Sequence, residues 1–289
     1  MRDICCDLAV DMTEKAVAKK GIREERLCGK YGVVRENIFV SEGTGERNAR
    51  MKAGRYVCLT RKSARKESEE EKSYFTRSLS KAFLDILQPL TEKERPSVLV
   101  IGLGNGFMTT DALGKRVSEK IIATRGLSED LSLGVVSSFA AGVSGMTGIE
   151  SYEVVRGIVG QVRPDVLVLV DSLCAFRADR IGRCYQISDA GLRAGGGAGR
   201  PSRVRLDRET LRLPVVSVGV PFVISARHLL REIGGGEPSF DPALFDGDMF
   251  VCPREIDSVL SEASETVAAA LNYALQPKLS YSDVLSFMT

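Results

Sequence analysis

Two aspartates stand where two apolar runs end. Val98-Leu99-Val100-Ile101 passes into the glycine-rich turn Gly102-Leu103-Gly104-Asn105-Gly106, and Asp111 follows in the same loop. Further on, Val166-Leu167-Val168-Leu169-Val170 leads directly to Asp171. Each acid is expected just past the C-terminal end of a parallel-type strand, the edge at which open α/β sheets bind ligands. Two carboxyl groups brought together there hold different protonation states, one as base and one as acid, which suits chemistry on a peptide bond. Taken singly, each aspartate has a plainer use as a helix N-cap, since Ala112-Leu113 follows Asp111 and Ser172 follows Asp171.

Other chemistries fit less well. The single histidine, His228, excludes HExxH and other multi-histidine zinc sites. No GxSxG elbow supplies a serine for a triad, and His228 reads as a surface or capping residue in a helical stretch. The seven cysteines, at 5, 6, 28, 58, 174, 184 and 252, form no CxxC and fit scattered thiols in a reducing cytosol. Cys174 lies near Asp171, but a cysteine nucleophile usually needs a base such as histidine, and the chain has only His228. Gly102 and Gly104 fit a dinucleotide fingerprint, whereas Phe107 fills its third glycine position and no GK[ST] follows either glycine loop. A nucleotide- or dinucleotide-binding protein using the Gly102–Gly106 turn is the alternative reading. Two more remain open: a divalent ion on Asp111, Asp171 and Glu150, and a non-catalytic binding protein.

The elements that must position these residues follow from pattern. The chain has 289 residues, 44% of them hydrophobic, and a net charge of +2, so it is globular with no bulk electrostatic pull toward nucleic acid or membrane. Its apolar runs are too short to span a bilayer, and the N-terminus has no signal-like apolar stretch. Residues 1–30 read as helical and polar. Short strands are expected near 37–40 and 56–60, a solvated helix start over the charged run 62–72, and a helix over 74–87. From residue 98 strands and helices alternate: a helix from Asp111 to about Arg125, a strand at 134–139, a Gly-rich loop at 142–150 and a helix to about Val162. Strand 166–170 leads to a short helix after Asp171, and then come strand 184–188, a glycine loop at 189–200, strand 214–221, and helices at 222–232 and 253–275. The alternation predicts a mostly parallel sheet covered on both faces, within one domain over 1–289.

Several motifs in this order resemble one known family. Gly102-Leu103-Gly104-Asn105, Thr109-Thr110-Asp111-Ala112-Leu113-Gly114, Thr124-Arg125, the run Gly142 to Glu150, Val170-Asp171-Ser172-Leu173 and Gln186-Ile187-Ser188-Asp189-Ala190-Gly191 are similar to germination protease, collinear over roughly 7–232. The resemblance implies a three-layer α/β/α sandwich similar to hydrogenase-maturation endopeptidases. It implies an atypical aspartic-type endopeptidase that begins the degradation of small acid-soluble spore proteins during spore germination, with Asp111 and Asp171 as its catalytic pair. It calls for no cofactor and no metal. Substrate-binding or oxyanion roles fall on Gly104, Asn105, Thr147, Gly148 and Asp189.

Cys6-Asp7-Leu8-Ala9-Val10-Asp11 resembles the segment at which the family's zymogen cuts itself, after an acidic residue and before an aliphatic one. Residues 1–7 are therefore a candidate propeptide, with autoprocessing at Asp7–Leu8. The resemblance further implies a homotetramer in the cytoplasm of the forespore or spore core, with no direct nucleic-acid or membrane partner. Thr110 stands where the family usually has proline, and Arg193-Ala194 where it usually has His-Pro. The six residues before Asp7 form a shorter leader than is usual there.

Overall fold

Strands as uniformly apolar as 98–101 and 166–170 build a sheet that has to be covered on both faces. The computed structural model describes residues 7–62, 67–127, 133–194, 204–234 and 249–288. Most of the leader, the middle of the charged run and the end of the glycine loop at 195–200 lie outside the described residues. Helix α1 (Ala9–Glu14) is followed by strands β1 (Ile22–Cys28) and β2 (Val34–Val40), helix α2 (Thr44–Ala49), strand β3 (Gly54–Thr60), helix α3 (Glu69–Leu87) and strand β4 (Ser97–Leu103). Helix α4 (Leu113–Ser118), strand β5 (Val135–Gly142), helices α5 (Ser144–Thr147) and α6 (Ser151–Val162) and strand β6 (Val166–Ala175) come next. Then follow strand β7 (Cys184–Ser188), helix α7 (Arg208–Leu211), strand β8 (Val215–Ser225), helix α8 (Ala226–Gly234), strand β9 (Phe250–Val251), and helices α9 (Ile256–Leu275) and α10 (Tyr281–Met288).

These strands form one sheet in the order β1-β2-β3-β7-β8-β6-β4-β5, with β9 on β8. The block β8-β6-β4-β5 is parallel. From β8 outward through β7, β3, β2 and β1 every pairing is antiparallel. The link between β6 and β7 is too short for a crossover helix, so β7 returns in the opposite direction.

Alternation along the strands fills both outer layers. Val98, Val100, Val166, Val168 and Val170 face α3, α4 and α9, packing against Phe75, Leu79, Phe83, Val117, Leu260 and Val267. On the other face, Leu99, Ile101, Leu167 and Leu169 meet Val155 of α6. Farther along that face, Leu8, Ala9 and Val10 pack on Ile38, Val40, Tyr56, Cys58 and Leu173. The result is an α/β/α sandwich. Helix α1 is anchored as well as packed: buried Asp11 accepts from Arg180 and, at 2.8 Å, from the Phe176 N–H.

Four expectations change. Within residues 1–30 the helix is confined to 9–14, and β1 is an exposed edge strand whose charged sequence carries no alternation to reveal it. It is held by pairing with β2, from Ile22 opposite Val40 to Cys28 opposite Val34. Helix α4 ends at Ser118 because the N–H groups of Thr124 and Arg125 have already turned to the Val136 carbonyl of β5. No helix follows Asp171; β6 continues to Ala175, paired with β8 as far as Ile224. Strand β8 likewise runs on to Ser225, and the helix expected from 222 begins at Ala226.

The start of α4 lies hard against the sheet because two glycines face each other. A Cβ on Gly102 would lie 2.0 Å from the Gly114 carbonyl oxygen, and one on Gly114 would lie 2.2 Å from that of Leu103 and 2.6 Å from that of Val170. All these obstacles are backbone, so no side chain can swing away. Gly114→Ala is expected to destabilise the chain by about 3 kcal/mol or more, at the upper end for overpacking. Chemical denaturation of wild type and variant measures the difference.

Candidate active site

Asp111 is placed by the turn after β4. Gly104 takes φ +95°, and a Cβ there would meet the Asp111 main-chain oxygen at 2.2 Å, so only glycine lets the loop fold back this closely. The Asn105 N–H then donates to Asp111 Oδ2 at 2.7 Å. The carboxylate thus closes its own loop instead of capping α4, which has no side-chain cap. A phosphate cradle at this turn is disfavoured, because the N–H already faces a carboxylate. Burial pushes the Asp111 carboxyl above its ordinary value, and the Asn105 N–H opposes that shift.

Asp171 lies inside β6, one residue beyond Val170, the last partner of β4. The sheet edge expected here is therefore real for β4, while β6 runs past it. The Asp171 side chain is buried, and its Oδ1 accepts from the Ser172 N–H at 2.9 Å. Burial above all, then the charges of Asp111 and Asp7, raise its carboxyl well above the usual range. The structure thus brings Asp7, Asp111 and Asp171 into one electrostatic neighbourhood.

A lateral row explains how Asp7 comes to be there. Asp171 pairs with Gly219 of β8, Gly219 with Gln186 of β7, and Gln186 with Cys58 of β3. Residues paired across a sheet share a face, so Asp171 and Gln186 flank the bare Gly219 with their Cα atoms roughly 10 Å apart. The Asp7 segment docks on this face. Its N–H donates to the Cys174 carbonyl at 3.3 Å, the Cys174 N–H donates to Asp7 Oδ2 at 3.2 Å, and Gln186 Nε2 donates to the Asp7 carbonyl oxygen at 2.9 Å. Beyond it Leu8 is fully buried, and the Ala9 N–H donates to Gln186 Oε1 at 2.6 Å. A cavity of about 450 Å³ opens beside this segment, lined by Asp7, Asp171, Gln186 and Tyr56 together with a basic group, Arg50, Lys52, Arg193 and Arg205.

The other site residues expected from sequence have local partners. The N–H groups of Thr147 and Gly148 donate within their own turn, to Val143 and Ser144, and the Thr147 hydroxyl caps the Ile149 N–H at 3.2 Å. Asp189 grips Arg55, through its backbone N–H at 2.7 Å and its Nε at 2.7 Å. Glu150 starts α6, and among the described residues no acidic, histidine or cysteine cluster is arranged to hold a metal. His228 neither caps a helix nor lies on the surface: it is buried in the first turn of α8, where the Ser225 hydroxyl accepts from its N–H at 3.2 Å and contacts its Nδ1 at 2.8 Å. Sequence reasoning assigned no role to Gln186, Tyr56 or Arg205. For Gln186 a signal existed: an amide in the middle of a wholly buried strand.

A family model described as germination protease matches residues 7–232. The germination protease of Clostridium acetobutylicum is 31% identical, over 100% of both chains. That of Bacillus subtilis is 29% identical, over 97% of this chain and 95% of its own. Among solved structures, the NiFe hydrogenase maturation protease HycI of Thermococcus kodakarensis aligns with 64% of this chain and 97% of its own, at 20% identity and a TM-score of 0.35.

The electrostatics of the docked segment carry a pH dependence. Burial raises the Asp7 carboxyl from 3.8 to about 6, with the Cys174 N–H and Arg205 opposing. The folded chain therefore holds this proton more tightly than the unfolded chain. Docking is most stable at low pH and loses that contribution as pH rises from about 4 through about 6. In an Asp111→Asn chain, amide exchange at Leu8 and Ala9, corrected for intrinsic rates, is expected to be slower at about pH 5 than at about pH 7. Adding Asp7→Asn removes the difference.

Proposed function

The chain belongs to the germination protease family, and we propose that it works as a self-processing, aspartic-type endopeptidase with Asp111 and Asp171 as its acid–base pair. Membership makes it a peptidase. The observation that carries the mechanism is the unequal environment of two buried carboxyls beside a docked stretch of the protein's own chain. Each carboxyl accepts one backbone N–H, Asp111 from Asn105 and Asp171 from Ser172, so burial decides, and the less buried Asp111 is the ionised partner and the base. Asp171 is more deeply buried and faces two other acids, so it keeps its proton. The two titrate as a pair.

A water oxygen bonds to the Asp7 carbonyl carbon while Asp111 takes the water's proton. The carbonyl π pair moves onto its oxygen, which receives the proton of Asp171. In collapse, Asp111 returns its proton to the Leu8 nitrogen and the C–N bond breaks. The diol proton goes back to Asp171, leaving a new carboxyl group on Asp7 and a new amine on Leu8. One water is consumed and both aspartates recover their starting states.

We infer that substrates in trans are small acid-soluble spore proteins, cut after an acidic residue. The basic group around the cavity supports this, since Arg205 already acts electrostatically on the Asp7 carboxylate. The family resemblance points further to a homotetramer acting in the cytoplasm of the forespore or spore core. Among the described residues no helix is long and apolar enough to cross a membrane.

The test is a cleavage assay on a small acid-soluble spore protein, with the enzyme's own N-terminus followed by mass spectrometry. Wild type is expected to cut the substrate after acidic residues and to lose residues 1–7. Asp111→Asn and Asp171→Asn are each expected to lose at least about 100-fold in rate while retaining the wild-type circular dichroism spectrum. Near-normal turnover by either folded variant overturns the mechanism.

A further inference from the structure

We propose that Gln186 is the carbonyl-polarising residue of this peptidase, serving first the chain's own Asp7–Leu8 bond and then the substrate. This rests on the reading of Asp7–Leu8 as the bond cut in processing. The amide touches the main chain on both sides of that bond. Its Nε2 donates to the Asp7 carbonyl oxygen at 2.9 Å, the oxygen on which charge develops when water adds. Its Oε1 accepts from the Ala9 N–H at 2.6 Å and from the Cys58 thiol at 3.6 Å.

The orientation of the amide is fixed by these partners. Turned over, it would set its NH₂ against two donors, Ala9 N–H and Cys58 S–H, and its oxygen against the Asp7 carbonyl oxygen. A hydrogen bond to Cys184, together with burial, raises the Cys58 thiol well above its usual range, so it stays protonated, and the Ala9 N–H is the contact that fixes the amide. The donor at Nε2 is therefore aimed before any reaction begins, the condition under which an oxyanion donor is most effective.

Its neutrality matters as much as its aim. A cationic donor in this place would stabilise the ionised form of Asp171 and so remove the acid. A carboxamide stabilises the developing oxyanion and leaves the pair's proton where it is. The carbonyl oxygen has two lone pairs, so Gln186 and Asp171 can share it.

Cleavage frees only one end of the amide. Ala9 and Cys58 lie on the enzyme side of the cut and continue to hold Oε1. Departure of the leader removes the acceptor at Nε2 alone, and the same N–H then meets the carbonyl of the incoming substrate bond. Gly219 carries no side chain of its own between Asp171 and Gln186, and the Leu173 side chain fills the space where a Cβ would stand, 2.6 Å away.

Gln186→Glu and Gln186→Asn separate this role from a structural one. Glutamate keeps the acceptor for Ala9 and Cys58 but loses the donor; asparagine keeps a donor one methylene short. The full chain and a chain beginning at Leu8 would be assayed for self-cleavage and for cleavage of a small acid-soluble spore protein, respectively. Gln186→Glu is expected to lose roughly 10²- to 10³-fold in kcat with KM little changed. Its rate is expected to recover partly as pH falls and the new carboxyl regains an O–H donor. Gln186→Asn should lie between it and wild type. If Gln186 only tied down Ala9, Gln186→Glu would cut at the wild-type rate at every pH, and that result overturns the proposal. Should Gln186→Glu not fold, a wild-type kcat for Gln186→Asn overturns it instead. Wild type that cuts neither its own Asp7–Leu8 bond nor the spore protein defeats the underlying reading, which is a distinguishable result.

Discussion

Burial raises the carboxyl groups of Asp7, Asp111 and Asp171 above their ordinary values, and the charges of Asp111 and Asp7 act on Asp171, so the three are not all charged together. Much of the local architecture answers that constraint. Gly104 and Asn105 bend a backbone N–H onto Asp111, which is less buried than Asp171. The Gly102–Gly114 contact holds the start of α4 against the sheet, and the Asp111 charge acts on Asp171. The proton that must remain then resides with Asp171, in the most enclosed position of the three.

The sheet's change of direction is what gives this trio a floor. A purely parallel sheet would end in loops at the edge beyond Leu103. Here β6 and β8 run on past β4, and β7 and β3 return beside them antiparallel. The extended surface so formed carries the row Asp171, Gly219, Gln186 and Cys58. On it the segment from Asp7 to Val10 lies as a short added strip, its polar atoms met by Cys174 and Gln186 and its apolar ones by Leu173 and Tyr56.

How much of this was legible in the sequence depended on whether burial left a pattern. The strands at 98–101 and 166–170 were readable because every position is apolar, and the glycine turn was readable because its conformation demands glycine. Strand β1 was not, since an exposed edge of charged residues is held by hydrogen bonds to β2 and not by burial. The continuation of β6 through Asp171 was hidden because a polar residue looks like the end of an apolar run, whereas its pairing with Gly219 keeps the strand going. The two aspartates could be named from spacing and from family resemblance. Gln186 could not be given a role, because that role comes from three strands meeting in register, which no local window contains.

Helix α1 carries a consequence of its own. With Leu8 to Val10 buried and Asp11 fixed by Arg180, the bond ahead of Leu8 does not arrive at the aspartates by diffusion. It is delivered by a tether a few residues long, so its local concentration is set by the fold and not by how many molecules are present. In the processing proposed above, the first peptide bond cut is thereby met in a first-order event within a single chain. Every later encounter, with a separate protein, is second-order and depends on how crowded the compartment is with substrate.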